Sequence, residues 1–135
     1  MEKIKKDSKI FLFGAFGYVL LETLWRGHSH WSMAAAGGLS LLLLLKTFGK
    51  LKNAPHYFKA LVGGIIITSV ELVFGVVFNI FLGMSVWNYS AVSGNILGQI
   101  CPAYSILWCG ISFVVSVIEK IFSSGKIFFL KKALP

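Results

Sequence analysis

The residues best suited to acid–base or metal chemistry gather in ETLWRGHSHWS, positions 22–32. Glu22 and Arg26 are four residues apart, so they can pair on one helix face. His28 and His30 could ligate a metal, but an i, i+2 pair without a further ligand nearby is a poor metal signature. The segment also lacks the nucleophile elbow of a hydrolase. We therefore predict interfacial hydrogen bonding here, with no catalytic residue, metal or cofactor.

A second carboxyl group, that of Glu71, lies near the middle of the longest apolar stretch of the chain. A charged side chain at the centre of a bilayer costs at least about 2.5 to 3.5 kcal/mol, so we expect this carboxyl to be protonated, paired or facing water. Candidate partners are Thr68, Asn79, Arg26 and hydroxyl groups of the last apolar stretch. Both a structural carboxyl and one that handles protons or a solute fit this position.

Composition predicts the elements that must position these side chains. The chain of 135 residues is 56% hydrophobic and 13% charged, with a mean hydropathy of +0.79, more apolar than a soluble domain of this size can bury. Apolar backbone in a bilayer must be helical. We predict an all-α integral membrane bundle, one domain over residues 1–135. Its four transmembrane helices are predicted at residues 10–25, 31–48, 57–82 and 100–118, followed by an interfacial segment at residues 120–135.

Basic residues predict the orientation of this bundle. All of them except Arg26 fall on one side of a four-span topology, and cytoplasmic loops carry the excess of Lys and Arg. Both termini are therefore predicted to be cytoplasmic (N-in/C-in), in a bacterial cytoplasmic membrane. The lysines should contact anionic lipid headgroups. They form no compact basic surface, so no nucleic-acid partner is expected.

Small and polar residues form a stripe along each of the last two spans. At 100° per residue, one stripe on the third span holds Gly64, Thr68, Glu71, Gly75 and Asn79. The fourth span repeats the pattern with Ser105, Cys109, Ser112 and Ser116. Such stripes let helices approach closely, so they should face each other or a third helix. The contact surface exceeds what one bundle uses, which predicts a homo-oligomer or a complex with another membrane subunit.

The uncharged connection after the third span is rich in polar and aromatic residues. On the side predicted to be outside the cell it adds Trp87, Asn88, Tyr89 and Asn95 to the groups of residues 22–32. We predict that these residues, together with Glu71 and Asn79, line a polar cavity that opens outwards.

The second half of the chain, ELVFGVVFNIFLGMSVWNYSAVSGNILGQICPAYSILWCG, resembles the CmpB family, a group labelled "putative ABC-transporter type IV" that also includes animal transmembrane relatives. The matching positions are Glu71, Gly75, Trp87, Tyr89, Ser90, Asn95, Gly98, Ser105 and Trp108. In the first half, GYVLLE and RGHSHW look like the family's Gly and Glu pattern and its Arg-Gly turn, whereas MAAAGG replaces the Pro-Ile-Tyr-Gly stretch of many members. The resemblance covers roughly residues 13–115. Asn88 replaces the usual Asp, which removes a carboxylate from any mechanism that needs an acid there.

The resemblance implies a small transport-related membrane component, whose cavity would take a small solute, an ion or a lipid headgroup. The chain has no P-loop signature, so an ABC system would need a separate ATPase. One alternative is a membrane-embedded enzyme acting on a lipid or isoprenoid headgroup, with Glu71 or Glu22 as acid or base and His28 or His30 assisting. Another is a non-catalytic assembly subunit whose stripes serve packing alone.

Overall fold

A computed structural model describes residues 2–123, and every regular element in that range is helical. The elements are α1 (Glu2–Arg26), α2 (Trp31–Lys50), α3 (His56–Phe74) with a π-helical continuation (Gly75–Phe81), and α4 (Pro102–Ser123). Four helical stretches are long and apolar enough to cross a membrane, α3 and its continuation counting as one. The predicted all-α membrane fold is therefore confirmed, whereas which end faces the cytoplasm stays a prediction.

Two helices extend beyond the apolar stretches that predicted them. Helix α1 begins at Glu2 rather than near residue 10, because the Lys and Glu residues before the apolar stretch are good helix formers. Helix α4 begins at Pro102, a residue favoured at the first helical position, and continues to Ser123. The predicted interfacial segment therefore starts inside α4, and its residues 124–135 lie outside the described residues.

The helices pack as two hairpins, α1 against α2 and α3 against α4, with α2 joining the pairs through α3. Close contact between α1 and α2 depends on glycine: a Cβ atom on Gly14 would lie 2.7 Å from the Cβ of Leu41 and 2.8 Å from the carbonyl oxygen of Gly37. Helix α1 buries none of its residues fully. Its exposed Phe and Leu side chains suit a surface in contact with lipid.

Helices α3 and α4 meet along the two stripes of small and polar residues. The hydroxyl groups of Thr68 and Ser105 lie 3.0 Å apart. One turn away, Gly64 contacts Cys109, and Gly63 contacts Ser112. We call this contact the α3–α4 seam; beside it, a core cluster contains Leu44, Phe48, Ile67 and Trp108.

The bundle has two distinct ends. The loop end contains the connections 27–30 and 82–101, and the terminal end contains the start of α1 and the connection 51–55. At the terminal end, Lys46 on α2 pairs with Asp7 on α1 at 3.1 Å. At the loop end, the 82–101 loop folds over the bundle, with an isolated bridge between Ile96 and Ile100.

The packing of the α3–α4 seam predicts opposite effects of one substitution at two glycines. Gly63→Ala places a methyl group onto the Oγ and Cβ atoms of Ser112 and 2.8 Å from Leu44, so we expect overpacking to cost about 1–3 kcal/mol. Gly110→Ala on α4 meets nothing within 4 Å, so it should be neutral or stabilising, since Ala is the better helix former. Thermal unfolding of both variants in detergent measures the difference; equal melting temperatures would contradict the described seam.

Candidate functional site

The carboxyl group of Glu71 lies inside the bundle, one turn before the π-helical segment. Its side chain is 7% exposed. Oε2 accepts a hydrogen bond of 3.2 Å from the hydroxyl group of Tyr89, which belongs to the 82–101 loop. Oε1 is buried and lies near the indole of Trp108, but it has no hydrogen bond of standard geometry within residues 2–123. A buried carboxyl oxygen without a well-formed hydrogen bond is costly, which marks Glu71 as the centre of the candidate site.

A cavity of about 10 Å³ lies beside this carboxyl group, a volume that admits about one water molecule. Its lining comes from all parts of the bundle, with Tyr18 from α1, Ser40 from α2, Trp87 from the loop and Trp108 from α4. The indole Nε1 of Trp108 is likewise buried without a hydrogen bond of standard geometry among the described residues. This donor and the Glu71 carboxyl are close enough to interact, and both border the same one-water space. We call it the Glu71 pocket.

Aromatic rings enclose the pocket and hold Tyr89 in place. The Tyr89 ring stacks on Tyr104 with centroids 5.0 Å apart, and Tyr104 and Tyr18 both contact Trp108, at 6.4 and 5.9 Å. Burial raises the pKa of the Tyr89 phenol. Tyr89 therefore keeps its proton at ordinary pH and acts as the donor to Glu71.

The 82–101 loop closes the pocket because side chains at the end of the third span hold it. Asn79, in the π-helical segment, accepts a bond of 2.6 Å from the backbone N–H of Val86 and donates one of 2.8 Å to Gln99. The indole of Trp87 donates to the backbone oxygen of Gln99 at 3.0 Å. A Cβ atom on Gly75 would lie 2.6 Å from the side-chain oxygen and 2.9 Å from the Cβ atom of Gln99, so a larger residue at position 75 would displace Gln99. π-Helical turns often occur at functional sites.

Arg26 also fastens the loop at Val86. Its Nη2 donates a bond of 3.2 Å to the carbonyl oxygen of Val86, and its Nε pairs with Glu22 at 3.2 Å. The guanidinium group therefore links α1 to the loop. Our candidate partners for Glu71 have other contacts in the structure: Arg26 binds Glu22, Asn79 binds the loop, and Thr68 bonds Ser105.

Both histidines of the 22–32 segment lie apart from the pocket. His28 is exposed. His30 caps α2: its Nδ1 accepts a bond of 3.2 Å from the backbone N–H of Ser32 and lies 2.7 Å from the Ser32 hydroxyl. The described residues hold no cluster of three or more His, Cys, Asp or Glu side chains that suits a metal ion.

Asn88 and Asn95 organise the loop itself. The Asn88 side-chain oxygen accepts from the backbone N–H and the hydroxyl group of Ser90. Asn95 donates to the carbonyl oxygens of Ser90 and Val92, and accepts from the N–H of Gly98 at 3.0 Å. The replacement of a family Asp by Asn88 therefore changes a turn at the surface, where the oxygen acceptor is retained.

Three residues that shape the site, Tyr18, Gln99 and Trp108, are not among the predicted cavity residues. Helical periodicity places Tyr18 on the face of Glu22, four residues before it, and Trp108 at the edge of the α4 stripe. Gln99 lies in an irregular loop, where no periodicity indicates which way a side chain points.

One family model matches residues 9–134, and its description is "Putative ABC-transporter type IV". The chain belongs to this family. The CmpB resemblance is thereby confirmed, and the family and the four apolar helices together make the chain a transport-related integral membrane protein. No curated protein and no solved structure matches the chain. The oligomer, the partner subunit and the bacterial membrane stay predictions.

The fastening of the loop predicts unequal effects of two asparagine substitutions. Asn79→Ala removes the bonds to Val86 and Gln99, so backbone amides of the 82–101 loop should exchange with deuterium faster. Asn88→Asp keeps the oxygen that accepts from Ser90, so exchange should be unchanged. Hydrogen-exchange mass spectrometry of the two variants in nanodiscs measures the difference, and equal protection in both would show that Asn79 does not hold the loop.

Proposed function

We propose that the protein is a membrane transport component in which Glu71 takes up and releases a proton inside the Glu71 pocket. The observation that carries this proposal is a glutamate 7% exposed, with one carboxyl oxygen lacking a well-formed hydrogen bond in residues 2–123, beside a one-water cavity. Ionisable residues inside membrane spans commonly serve as proton relays. The family description, which concerns transport, agrees with this role.

Charge supports a proton as the species that binds. Within residues 2–123 no basic side chain forms an ion pair with Glu71, since the guanidinium group of Arg26 is bound to Glu22. The titratable groups that face or surround the carboxyl are Tyr18, Glu22 and Tyr89. None of these supplies a positive charge, so a proton on Glu71 is the available way to neutralise it in a low-dielectric site.

The size of the cavity also supports a proton as the species that binds. A cavity of about 10 Å³ holds about one water molecule and no organic solute or lipid headgroup. In this closed form the pocket has room for a proton carried by water. A larger solute of the kind predicted from the sequence would enter only if the 82–101 loop moved away from the bundle.

Tyr89 supplies the link between the proton and the loop. Its hydroxyl group donates to Glu71, and a donor of this kind stabilises the ionised carboxyl more than the neutral one. Protonation of Glu71 therefore weakens the hydrogen bond that ties the loop to the bundle. Protonation would therefore favour opening of the bundle at the loop end. Proton binding would in this way be coupled to access to the Glu71 pocket.

Replacing Glu71 with Gln tests the proposal. The amide keeps the shape and can still accept from Tyr89, but it cannot titrate, so proton flux into liposomes should fall to the level of protein-free vesicles. Infrared difference spectra should lose the signal of a protonated carboxyl that appears in the parent protein as the pH is lowered. Flux is read with a pH-sensitive dye trapped inside the vesicles.

Asp7→Asn is the matched control, since Asp7 pairs with Lys46 at the terminal end, away from the pocket. It should keep both flux and the infrared signal. If Glu71→Gln conducts protons as well as this control does, Glu71 is a structural carboxyl and the proposed function fails.

A further inference from the structure

We propose that the α3–α4 seam is the route by which protons pass between Glu71 and the terminal end, and that His56 is its last carrier. This inference rests on the proposed function of Glu71. The residues of this route lie outside the Glu71 pocket, on α4 and on the part of α3 that precedes Glu71. Polar groups follow one another along the seam from Glu71 to the first residue of α3.

The first carriers are the hydroxyl groups of Thr68 and Ser105. Thr68 precedes Glu71 by three residues, so the two side chains are neighbours on one helix face. Its Oγ1 lies 3.0 Å from the Oγ of Ser105, and either atom can be the donor. The donor and the acceptor in this hydroxyl pair can exchange roles, and a proton relay requires this exchange.

Ser112 is the observation that distinguishes this seam from simple packing. It is 0% exposed, and its Oγ has no hydrogen-bond partner in the described part of the chain. The hydroxyl faces α3, where it contacts Gly63. An unsatisfied buried hydroxyl costs about 1–3 kcal/mol, and alanine would pack here without that cost. The hydroxyl group is therefore suited to a transient hydrogen-bond partner.

Cys109 and Ser116 complete the series on α4. Side chains three or four residues apart on a helix are about 5 to 6 Å apart, a distance that one bridging water spans with two hydrogen bonds. The series Ser105, Cys109, Ser112 and Ser116 keeps this spacing, and the thiol group of Cys109 contacts Gly64. Water entering the seam is the co-reactant that the route needs.

His56 ends the route, and its contacts fix which nitrogen is free. The Oγ of Ser116 donates to the carbonyl oxygen of Phe113 at 2.8 Å. Since that proton is committed, the 2.9 Å contact between His56 Nδ1 and Ser116 Oγ needs the histidine as donor. In the neutral ring, Nε2 is then left with a lone pair that can take a proton. Imidazoles commonly act as proton shuttles.

Charged groups of both packed helices flank this end of the route. Lys59, one turn beyond His56 on α3, is 1% exposed. Glu119 and Lys120 follow Ser116 on α4, and His56 also contacts the ring of Phe113 at 5.9 Å. The end of the route therefore lies among ionisable side chains of both helices.

Each transfer balances without another reagent. The carboxyl O–H bond of Glu71 breaks as an O–H bond forms on the next carrier, which releases its own proton to the following one. At the terminal end, Nε2 of His56 takes a proton from bulk water while its Nδ1–H bond breaks and an O–H bond forms on Ser116, whose own proton passes to the next carrier. This step leaves His56 neutral, with its proton on Nε2. Release to the terminal end is the reverse: Ser116 gives a proton to Nδ1, and Nε2 gives one to bulk water.

Two variants test the route in the full-length protein reconstituted in liposomes. Ser112→Ala removes the unsatisfied hydroxyl and should leave stability equal or higher. His56→Gln keeps an N–H that can donate to Ser116 but cannot shuttle a proton. Each should lower proton flux by about 100-fold, the smaller end of what a positioned proton-transfer group contributes. Infrared titration of Glu71 should persist in both.

Ser69→Ala is the matched control, since the Ser69 hydroxyl is exposed on α3 and bonds the carbonyl oxygen of Ile65; its flux should equal that of the parent protein. Normal flux in Ser112→Ala or in His56→Gln, with flux still abolished by Glu71→Gln, overturns the route and leaves the proposed function intact. Normal flux in Glu71→Gln overturns both. Melting temperatures of the variants separate lost conduction from lost folding.

Discussion

One constraint shapes the rest of this structure: a carboxyl group has to be accommodated inside a membrane bundle in which no side chain of residues 2–123 forms an ion pair with it. Of the two oxygens of Glu71, Tyr89 satisfies one, and the other borders the one-water cavity. Because the donor comes from a loop, the loop must fold back into the bundle to reach the carboxyl. The bonds of Asn79 and the stacking of Tyr89 on Tyr104 hold it there. Closure of the site and burial of the carboxyl group therefore depend on the same contacts.

The hydrophobic effect does not drive helices together in lipid, so close packing and hydrogen bonds hold the bundle. The α3–α4 seam supplies both through the same small side chains. Gly63 and Gly64 let the backbones approach, and the Thr68–Ser105 pair bonds across the contact. Packing alone would be served as well by alanine at Ser112, so its unsatisfied hydroxyl is the feature that packing does not explain.

Hydropathy predicted the four helices because apolar backbone in a membrane has few alternatives to a helix. It also predicted Glu71 as the residue out of place, since a carboxyl is conspicuous among Ile, Val and Phe. The partner of Glu71 could not be read in the same way. Helical periodicity stops at the 82–101 loop, where chain reversals at positive φ, such as Gly83 and Gly98, decide where each side chain points. Sequence reasoning therefore grouped Tyr89 and His30 as cavity candidates without finding the bond of Tyr89 to Glu71 or the position of His30 as the cap of α2.

The two ends of the bundle restrict access to Glu71 by different means. Towards the terminal end the carboxyl meets helix packed on helix along the seam, which separates only if the bundle itself deforms. Towards the loop end it meets a segment without regular structure, and the side chains of Arg26 and Asn79 both fasten that segment at the backbone of Val86. Local opening takes least free energy where few contacts hold a segment. Under the proposed function, the loop end is therefore the side on which a larger species would enter, and the seam would admit only protons and the single water molecules that carry them.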